Sequence, residues 1–521
     1  MKEEPTTFIT SARSYSLGVL LSRISGMIRD VVLAYSFGTS ASISLFMLSY
    51  RLSNIFRRVL TETPLSSSFI PLYQSLREKS PSQGLYFFRD LCWSFSLILS
   101  LLIALVSFLA ITLSQYYLTK DASRIVFLTS LMLPSLFFLF IYGIFSALLQ
   151  SHRSFFITSA APIAFNLCWI VPVLLMRSKG FCSLNLLALC VVLGFALQAF
   201  FLFYSLKGGV FSELSGKEWL KPRFFSSSVK SFMKPFCLTA LGVATTQINA
   251  AADGFFAKAA SSSGPAFLWY AIRIEQLPIA LFGVSLAASI LPFISRYKQT
   301  DDRLSIQTTI NNALDQMMGW MSLSMWGLII FGPLGLNLIF GRGGFTLESL
   351  KSTCLCLIGY AFGVIPHGIC LLYTSALHGL TEFKTPAKIS FYTILFHFGC
   401  NTLFVLGLNF GAFSVALSTS LSSFLQMIML KRSFDSTLAN SYLLSHFLRY
   451  LMVGILSSAL AAASCYKAFY DLFVLHKMLT FTAAFIHLSI GGGVFILAFV
   501  VFERLFGLDA VYKQFRLRAF K

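Results

Sequence analysis

Long, mostly apolar stretches alternate along the chain with short polar connections, and most are near the length of about 20 residues that a membrane-spanning helix needs. Fourteen such runs can be placed, near 15–38, 44–74, 90–114, 125–150, 156–177, 183–206, 232–258, 266–295, 312–340, 352–378, 387–409, 411–431, 446–469 and 479–502. The runs are continuous rather than alternating, which predicts helices and not the strands of a β-barrel. The expected fold class is therefore an all-α integral membrane protein with about fourteen transmembrane helices. The first, second and eighth runs are expected to be the least hydrophobic. The start, MKEEPTTFITSARSYS, is polar, so no cleavable signal peptide is expected and the first run should act as the insertion signal.

Composition agrees with this pattern. Hydrophobic residues make up 56% of the 521 positions and charged residues 12%, against about 25% charged in an ordinary soluble domain. That is too little charge to cover soluble domains, and a bilayer obliges the backbone to satisfy its own hydrogen bonds as helix. The net charge of +20 could suggest nucleic acid, but Lys and Arg fall mostly in the short connections, where they set topology. With the N-terminus inside, the cytoplasmic side collects Arg77, Lys79, Arg153, Lys207, Lys217, Lys221, Arg223, Lys230, Arg296, Lys298 and the basic tail, and the opposite side far fewer. Both termini are expected in the cytoplasm.

The longest connection, 207–231, mixes apolar and basic residues and reads as an interfacial amphipathic segment. It separates a six-helix lobe, 1–206, from a second, 232–432, followed by two extra helices and a basic tail, 433–521. Two internal echoes support paired lobes. Tyr50–Tyr73 resembles Tyr270–Ile294, each ending near a proline, Pro71 and Pro292; Ser146-Ala147-Leu148 resembles Ser375-Ala376-Leu377. Each offset spans an even number of helices, so the lobes would have like orientation, related by an axis along the membrane normal, as in many transporters.

Ionisable residues at membrane depth are costly and mostly functional, and here they cluster. The first run reads SRISGMIRD, with Arg23, Arg29 and Asp30; the second holds Arg51, Arg57, Arg58 and Glu62; the seventh has Asp253 and the eighth Arg273 and Glu275. The third to sixth runs are nearly free of charge in their interiors. Ser22, Ser25 and Arg29 share one helical stripe, as do Arg51, Asn54, Arg58 and Glu62. A single arginine could simply snorkel to the interface; several in neighbouring helices favour a cavity for an anionic ligand, because guanidinium grips phosphate with paired charge-assisted bonds. Pro64 and Pro278 are expected to kink their helices. The ten cysteines and seven histidines are dispersed, without a strong metal or nucleophile motif, and no phosphate-binding loop is present.

The segments SRISGMIRD at 22–30, FGTSASISLFMLSYRLSNIFRRVLTETPLSSSFIPLY at 37–73, YAIRIEQLPIALFGVSLAASILPFIS at 270–295, GPLGLNLIFGRGGF at 332–345 and KTPAKI at 384–389 resemble the MurJ (MviN) lipid II flippase family of the multidrug/oligosaccharidyl-lipid/polysaccharide exporter superfamily. The likeness covers nearly the whole chain. It implies two six-helix lobes around a cavity, two flanking C-terminal helices, and export of the undecaprenyl-diphosphate-linked peptidoglycan precursor without bond chemistry, at the bacterial inner membrane. The family's cavity arginines fall on Arg23, Arg29, Arg58 and Arg273, with Arg57 adjacent, and Ser22, Asp30 and Glu62 match the same motifs. Two positions depart from the family pattern. Ser44 stands where an Asp is common, and Ser53 replaces the proline of L-P-N, which would move the kink to Pro64.

Within the superfamily, a multidrug exporter or an O-antigen-type flippase is the alternative; a polytopic glycosyltransferase would need a large extramembrane loop, and the outer loops are short. Expected partners are lipid II, the bilayer and the cell-wall synthesis enzymes, with no nucleic acid and a monomeric transporter. No cofactor is expected beyond a coupling monovalent cation. One carboxylate with neutral oxygens suits sodium, and Asp253, Asn401 and Thr419 are the candidate ligands, with His397 and Ser418 beside the last two. The competing reading pairs Asp253 with Lys258.

Overall fold

The computed structural model describes residues 5–55, 57, 63–117, 119–152, 154–181, 183–207, 216–438 and 443–512. Among them the chain is helical throughout, without strands. Ten helices are long and apolar enough to cross a membrane, and the pair Leu347–Ala361 and Val364–Gly379, bent by 40°, makes an eleventh. These eleven coincide with eleven of the fourteen apolar runs. The other three are the first, second and seventh, whose helices carry Arg23, Arg29, Asp30, Arg51 and Asp253. The eighth run, expected among the least hydrophobic, passes as Gly264–Gln299; its two charges are diluted by a long apolar continuation, whereas the seventh run is rich in Ala, Thr, Asn and Gln.

Contacts divide the chain into two compact units, Met1–Gly254 and Phe255–Lys521. The division falls inside a helix of the seventh run. The first unit contains α1 (Pro5–Phe37), α2 (Ala41–Ser53), α3 (Thr63–Lys79), α4 (Pro81–Tyr117), α5 (Lys120–Met132), α6 (Ser135–Ser151), α7 (Phe155–Ala160), α8 (Pro162–Ser178), α9 (Leu184–Lys207), the single turn α10 (Gly216–Trp219) and most of α11 (Ser227–Ala260). Its core is aromatic. Phe165 stacks on Phe195 at 4.3 Å between ring centroids, and Trp169 meets Tyr50 edge-on at 5.0 Å and Phe46 at 5.3 Å. A second cluster joins α4, α6 and α11 through Phe95, Phe140 and Phe236. Such pairs add about 1 kcal/mol each beyond their buried area.

The second run is not one kinked helix. Helix α2 ends at Ser53; Asn54 caps it, with its side-chain amide donating to the Tyr50 carbonyl at 2.8 Å. Pro64 is the second described residue of α3. A local amide cap thus ends α2 without the family's proline, while the residues that lead into Pro64, where a kink is expected, lie outside the described residues.

The second unit holds α12 (Gly264–Pro278), α13 (Val284–Gln299), α14 (Arg303–Phe340), α15 (Leu347–Ala361), α16 (Val364–Gly379), α17 (Lys384–Asn401), α18 (Phe413–Leu438), α19 (Leu443–Ser464), the short α20 (Tyr466–Phe469) and α21 (Phe481–Leu505). A π-turn, Ile279–Gly283, follows Pro278 and joins α12 to α13. Proline removes one helical hydrogen bond there, and the wider turn absorbs the gap. The two echoed segments, Tyr50–Tyr73 and Tyr270–Ile294, are therefore both interrupted helices. The C-terminal pair packs on α14. Gly454 lies so close to Trp326 that a Cβ would run into the ring, and the Ser322 hydroxyl donates to the Tyr450 carbonyl at 3.0 Å. Fully buried Glu503 accepts from the backbone N–H groups of Val511 and Tyr512, both at 2.9 Å, which ties the end of the described chain to α21.

Candidate functional site

The stripe Ser22, Ser25, Arg29 on α1 faces α8. Arg29 is 6% exposed and Asp30 1%. Arg29 donates from Nε and Nη2 to Asp30 Oδ1 at 3.1 and 2.9 Å, and from Nη1 to Asn166 Oδ1 at 3.1 Å. Its guanidinium lies 5.0 Å from the Trp169 ring and 5.9 Å from Phe165. Asn166 in turn donates from Nδ2 to Ser25 Oγ at 2.7 Å and to the Ser22 carbonyl at 3.4 Å. An isolated buried guanidinium would be prohibitive at membrane depth. Here a carboxylate from the next residue neutralises it, an amide holds one edge, and an indole covers one face.

Arg57 reaches the same aromatic stack, 6.0 Å from the Phe195 ring, and Phe195 lies on Phe165. The structure thus gathers Ser22, Arg29, Asp30 and Arg57 around one aromatic wall built by α8 and α9. Arg23 is exposed and takes no part in that network. Arg58 and Glu62 lie outside the described residues. Arg51 donates to the Ala250 carbonyl of α11 at 3.0 Å, and the chain approaches closely enough there that a Cβ on Gly254 would come within 2.8 Å of Leu48.

In the second unit, Arg273 is half-buried with its guanidinium 4.7 Å from the Trp269 ring. Asp253 is buried in the first unit; His397 and Asn401 are buried on α17 in the second. The Thr419 hydroxyl donates to the Val415 carbonyl at 3.1 Å, and that of Ser418 to the Ser414 carbonyl at 2.9 Å, both within α18. Among the described residues, no three His, Cys, Asp or Glu side chains converge as a metal site.

Beyond these, Asn166 and the α8–α9 aromatics belong to the site, and a second buried pair, Arg89–Asp90, sits near the start of α4, at the edge of the third apolar run and outside its nearly charge-free interior. Its signal was present: residues 89–90 repeat the Arg-Asp dipeptide of residues 29–30. Asn166 could have been found as the lone amide in an otherwise apolar run.

The family model for lipid II flippase MurJ matches residues 33–487. The chain belongs to the MurJ lipid II flippase family. A probable lipid II flippase MurJ of Chlamydia trachomatis serovar D is 27% identical over 435 residues, covering 82% of this chain and 79% of that protein. One from Aquifex aeolicus is 28% identical over 417 residues, covering 78% and 80%. Among solved structures, a lipid II flippase MurJ in an inward closed conformation matches with a TM-score of 0.73 at 23% identity, covering 94% of this chain and 98% of that one. An inward-facing multidrug resistance MATE transporter of the MOP superfamily matches with a TM-score of 0.62 at 12% identity, covering 81% and 96%. The two structures show a shared fold; the family model is what sets this chain among the lipid II flippases. The chain is a multi-pass membrane transporter, and its Arg29 network occupies the S-R-x-x-G-x-x-R-D motif that carried the resemblance to MurJ.

Proposed function

We propose that this protein moves lipid II from the cytoplasmic to the outer leaflet of the bacterial inner membrane by alternating access, with Arg29 and Arg57 in the first unit and Arg273 in the second as the groups that draw in its diphosphate. The observation that carries the reading is Arg29: a guanidinium buried in a membrane helix beside a second arginine on one aromatic wall. A cation is kept at that depth for an anionic ligand, and guanidinium matches phosphate oxygens better than ammonium does. The lipid tail stays in hydrocarbon while the headgroup crosses, so no covalent step is required. Outward movement of negative charge gains about 2.3 kcal/mol per charge per 100 mV when the cell interior is negative.

Both termini lie in the cytoplasm on this reading, and a monomer works beside the cell-wall synthesis enzymes. A coupling monovalent cation is its further part. Asp253 supplies a buried carboxylate, Asn401 a buried amide and Thr419 a hydroxyl, the oxygen donors a hard ion favours. Asp253→Asn should then remove any sodium dependence of flipping without weakening lipid binding. The deciding experiment is complementation of a strain depleted of its lipid II flippase. The wild-type chain should restore growth and Arg29→Ala should not, at equal membrane abundance. A wild-type chain that inserts normally and fails to complement would overturn the reading.

A further inference from the structure

Asn166 is 4% exposed, in a helix whose neighbouring positions are apolar. A buried amide costs several kcal/mol unless its donors and acceptor are engaged, and here the partners dictate which way it points. Arginine can only donate, so Oδ1 must face Arg29; a carbonyl can only accept, so Nδ2 must face Ser22. The Ser25 hydroxyl donates to the same Ser22 carbonyl at 2.8 Å, which leaves its oxygen to accept from Nδ2. Donation runs one way, from Arg29 through Asn166 to Ser25 and the Ser22 carbonyl of α1.

We infer that Asn166 is a positioning residue for the diphosphate of the transported lipid, acting through Arg29; the inference rests on the function proposed above. A guanidinium has five N–H donors. Asp30 takes one from Nε and one from Nη2, and Asn166 takes one from Nη1. One N–H on each terminal nitrogen remains without a partner among the described residues, the two-pronged arrangement that phosphate oxygens accept. Asp30 takes both of its bonds at the single oxygen Oδ1, about which the planar guanidinium could still pivot, and Trp169 covers only its face. The neutral amide fixes the Nη1 edge without adding a second negative charge to compete with the ligand. Asn166 touches no lipid in this scheme; it sets how Arg29 meets it.

The test is a series at position 166, read as half-saturation against maximal rate for fluorescent lipid II flipped by the full chain in proteoliposomes. Asn166→Asp is isosteric, removes the Nδ2 donor and puts a second carboxylate on Arg29. It should raise half-saturation about tenfold or more, with the maximal rate changed far less. Asn166→Leu should raise it by several-fold, and Asn166→His, which can accept at one ring nitrogen and donate at the other, should recover part of the loss. In a double-mutant cycle, Asn166→Leu should add little to Arg29→Lys, because lysine has no Nη1 to orient. Fluorine NMR of 5-fluorotryptophan-labelled protein, with the Trp169 line assigned by Trp169→Phe, gives an independent readout. A short-chain isoprenyl diphosphate should shift that line in the wild type, and Asn166→Asp should need a higher concentration for the same shift. Should Asn166→Leu fail to fold, Asn166→Asp and the Trp169 line carry the test. Half-saturation within twofold of wild type in Asn166→Asp, or additive losses in the cycle, would overturn the inference. Were the wild type to bind isoprenyl diphosphate with this dependence on residue 166 and still not flip lipid II, the positioning role would stand and the proposed function would fall.

Discussion

Two Arg-Asp dipeptides lie buried in the first unit, and they are built alike. In α1, Arg29 donates from Nε and Nη2 to Asp30 Oδ1; in α4, Arg89 donates from the same two nitrogens to Asp90 Oδ1, at 2.9 and 2.6 Å. Each guanidinium lies over an aromatic ring at 5.0 Å, Trp169 in one case and Tyr86 in the other. Each spends an Nη1 hydrogen on a partner more than a hundred residues away. There the likeness ends. Arg29 meets a side chain, Asn166, itself held by Ser25 and the Ser22 carbonyl. Arg89 meets main chain, the carbonyl of Glu218 at 2.9 Å, while Asp90 accepts from the backbone N–H of Arg223 at 3.0 Å. Tyr86 donates to Glu218, Trp93 to the Trp219 carbonyl, and the Phe225 N–H to Ser94. An adjacent acid neutralises the arginine in both helices. What the pair then does is set by its third partner. Backbone partners make Arg89–Asp90 a clasp for the connector, and a side-chain partner anchored on α1 sets the aim of Arg29.

If that contrast holds, exchanging arginine for lysine separates the two sites. Arg29→Lys keeps the charge and loses the fork, so flipping in proteoliposomes should fall by about 10- to 100-fold. Arg89→Lys should leave flipping within about twofold, since lysine can still reach a carbonyl and a carboxylate. Equal losses in the two variants would erase the distinction.

The second effect belongs to the clasp. Arg89→Ala strands the buried Asp90 carboxylate, and breaking a buried pair costs about 3–5 kcal/mol. Thermal unfolding in detergent should shift down accordingly, and limited proteolysis between residues 216 and 226 should accelerate while α1 remains protected. A smaller change is expected from Trp169→Phe, which keeps a ring under Arg29 but weakens the cation–π contact by about 1 kcal/mol. The lipid concentration for half-maximal flipping should rise by less than tenfold.

The sequence carried the helices well, because runs of spanning length are a strong signal and a bilayer permits few alternatives. It also carried Arg29 and Asp30, since charge in an apolar run is conspicuous. Two things were hidden. The seventh run passed for a stronger span than the eighth, because its alanines and amides hide how polar it is. Arg89–Asp90 was passed over because it stands near a helix start, where charge is ordinarily topogenic; only the docking of residues 218–225 shows that it is buried. The partners of both pairs are more than a hundred residues distant, and no local pattern encodes such a pairing. Asn166 is the clearest case: one amide among apolar neighbours, its role fixed by Ser25 and Arg29 on another helix.

A third aspartate, Asp302, completes the contrast with local partners only. It caps α14, accepting from the Ser305 hydroxyl at 2.6 Å and the Ser305 N–H at 3.0 Å. These bonds, the hydroxyl first, hold its carboxyl below the usual aspartate range. A depressed pKa in the folded chain means that the carboxylate form is the one the fold favours. Its contribution is therefore complete above the ordinary aspartate pKa of about 4 and is lost as pH falls through the lower folded value. Because the partners lie within one turn and face water, the effect should be the smallest of the four. Thermal unfolding followed from pH 6 to pH 3 should show a slightly steeper loss for the wild type than for Asp302→Asn, which keeps a good N-cap and removes the titration. Asp302→Ala should lower stability at neutral pH as well, by loss of the cap. If Asp302→Asn instead cost as much as Arg89→Ala, local bonding at an exposed helix end would rival a buried long-range clasp, and distant partners would not be what separates the three acids.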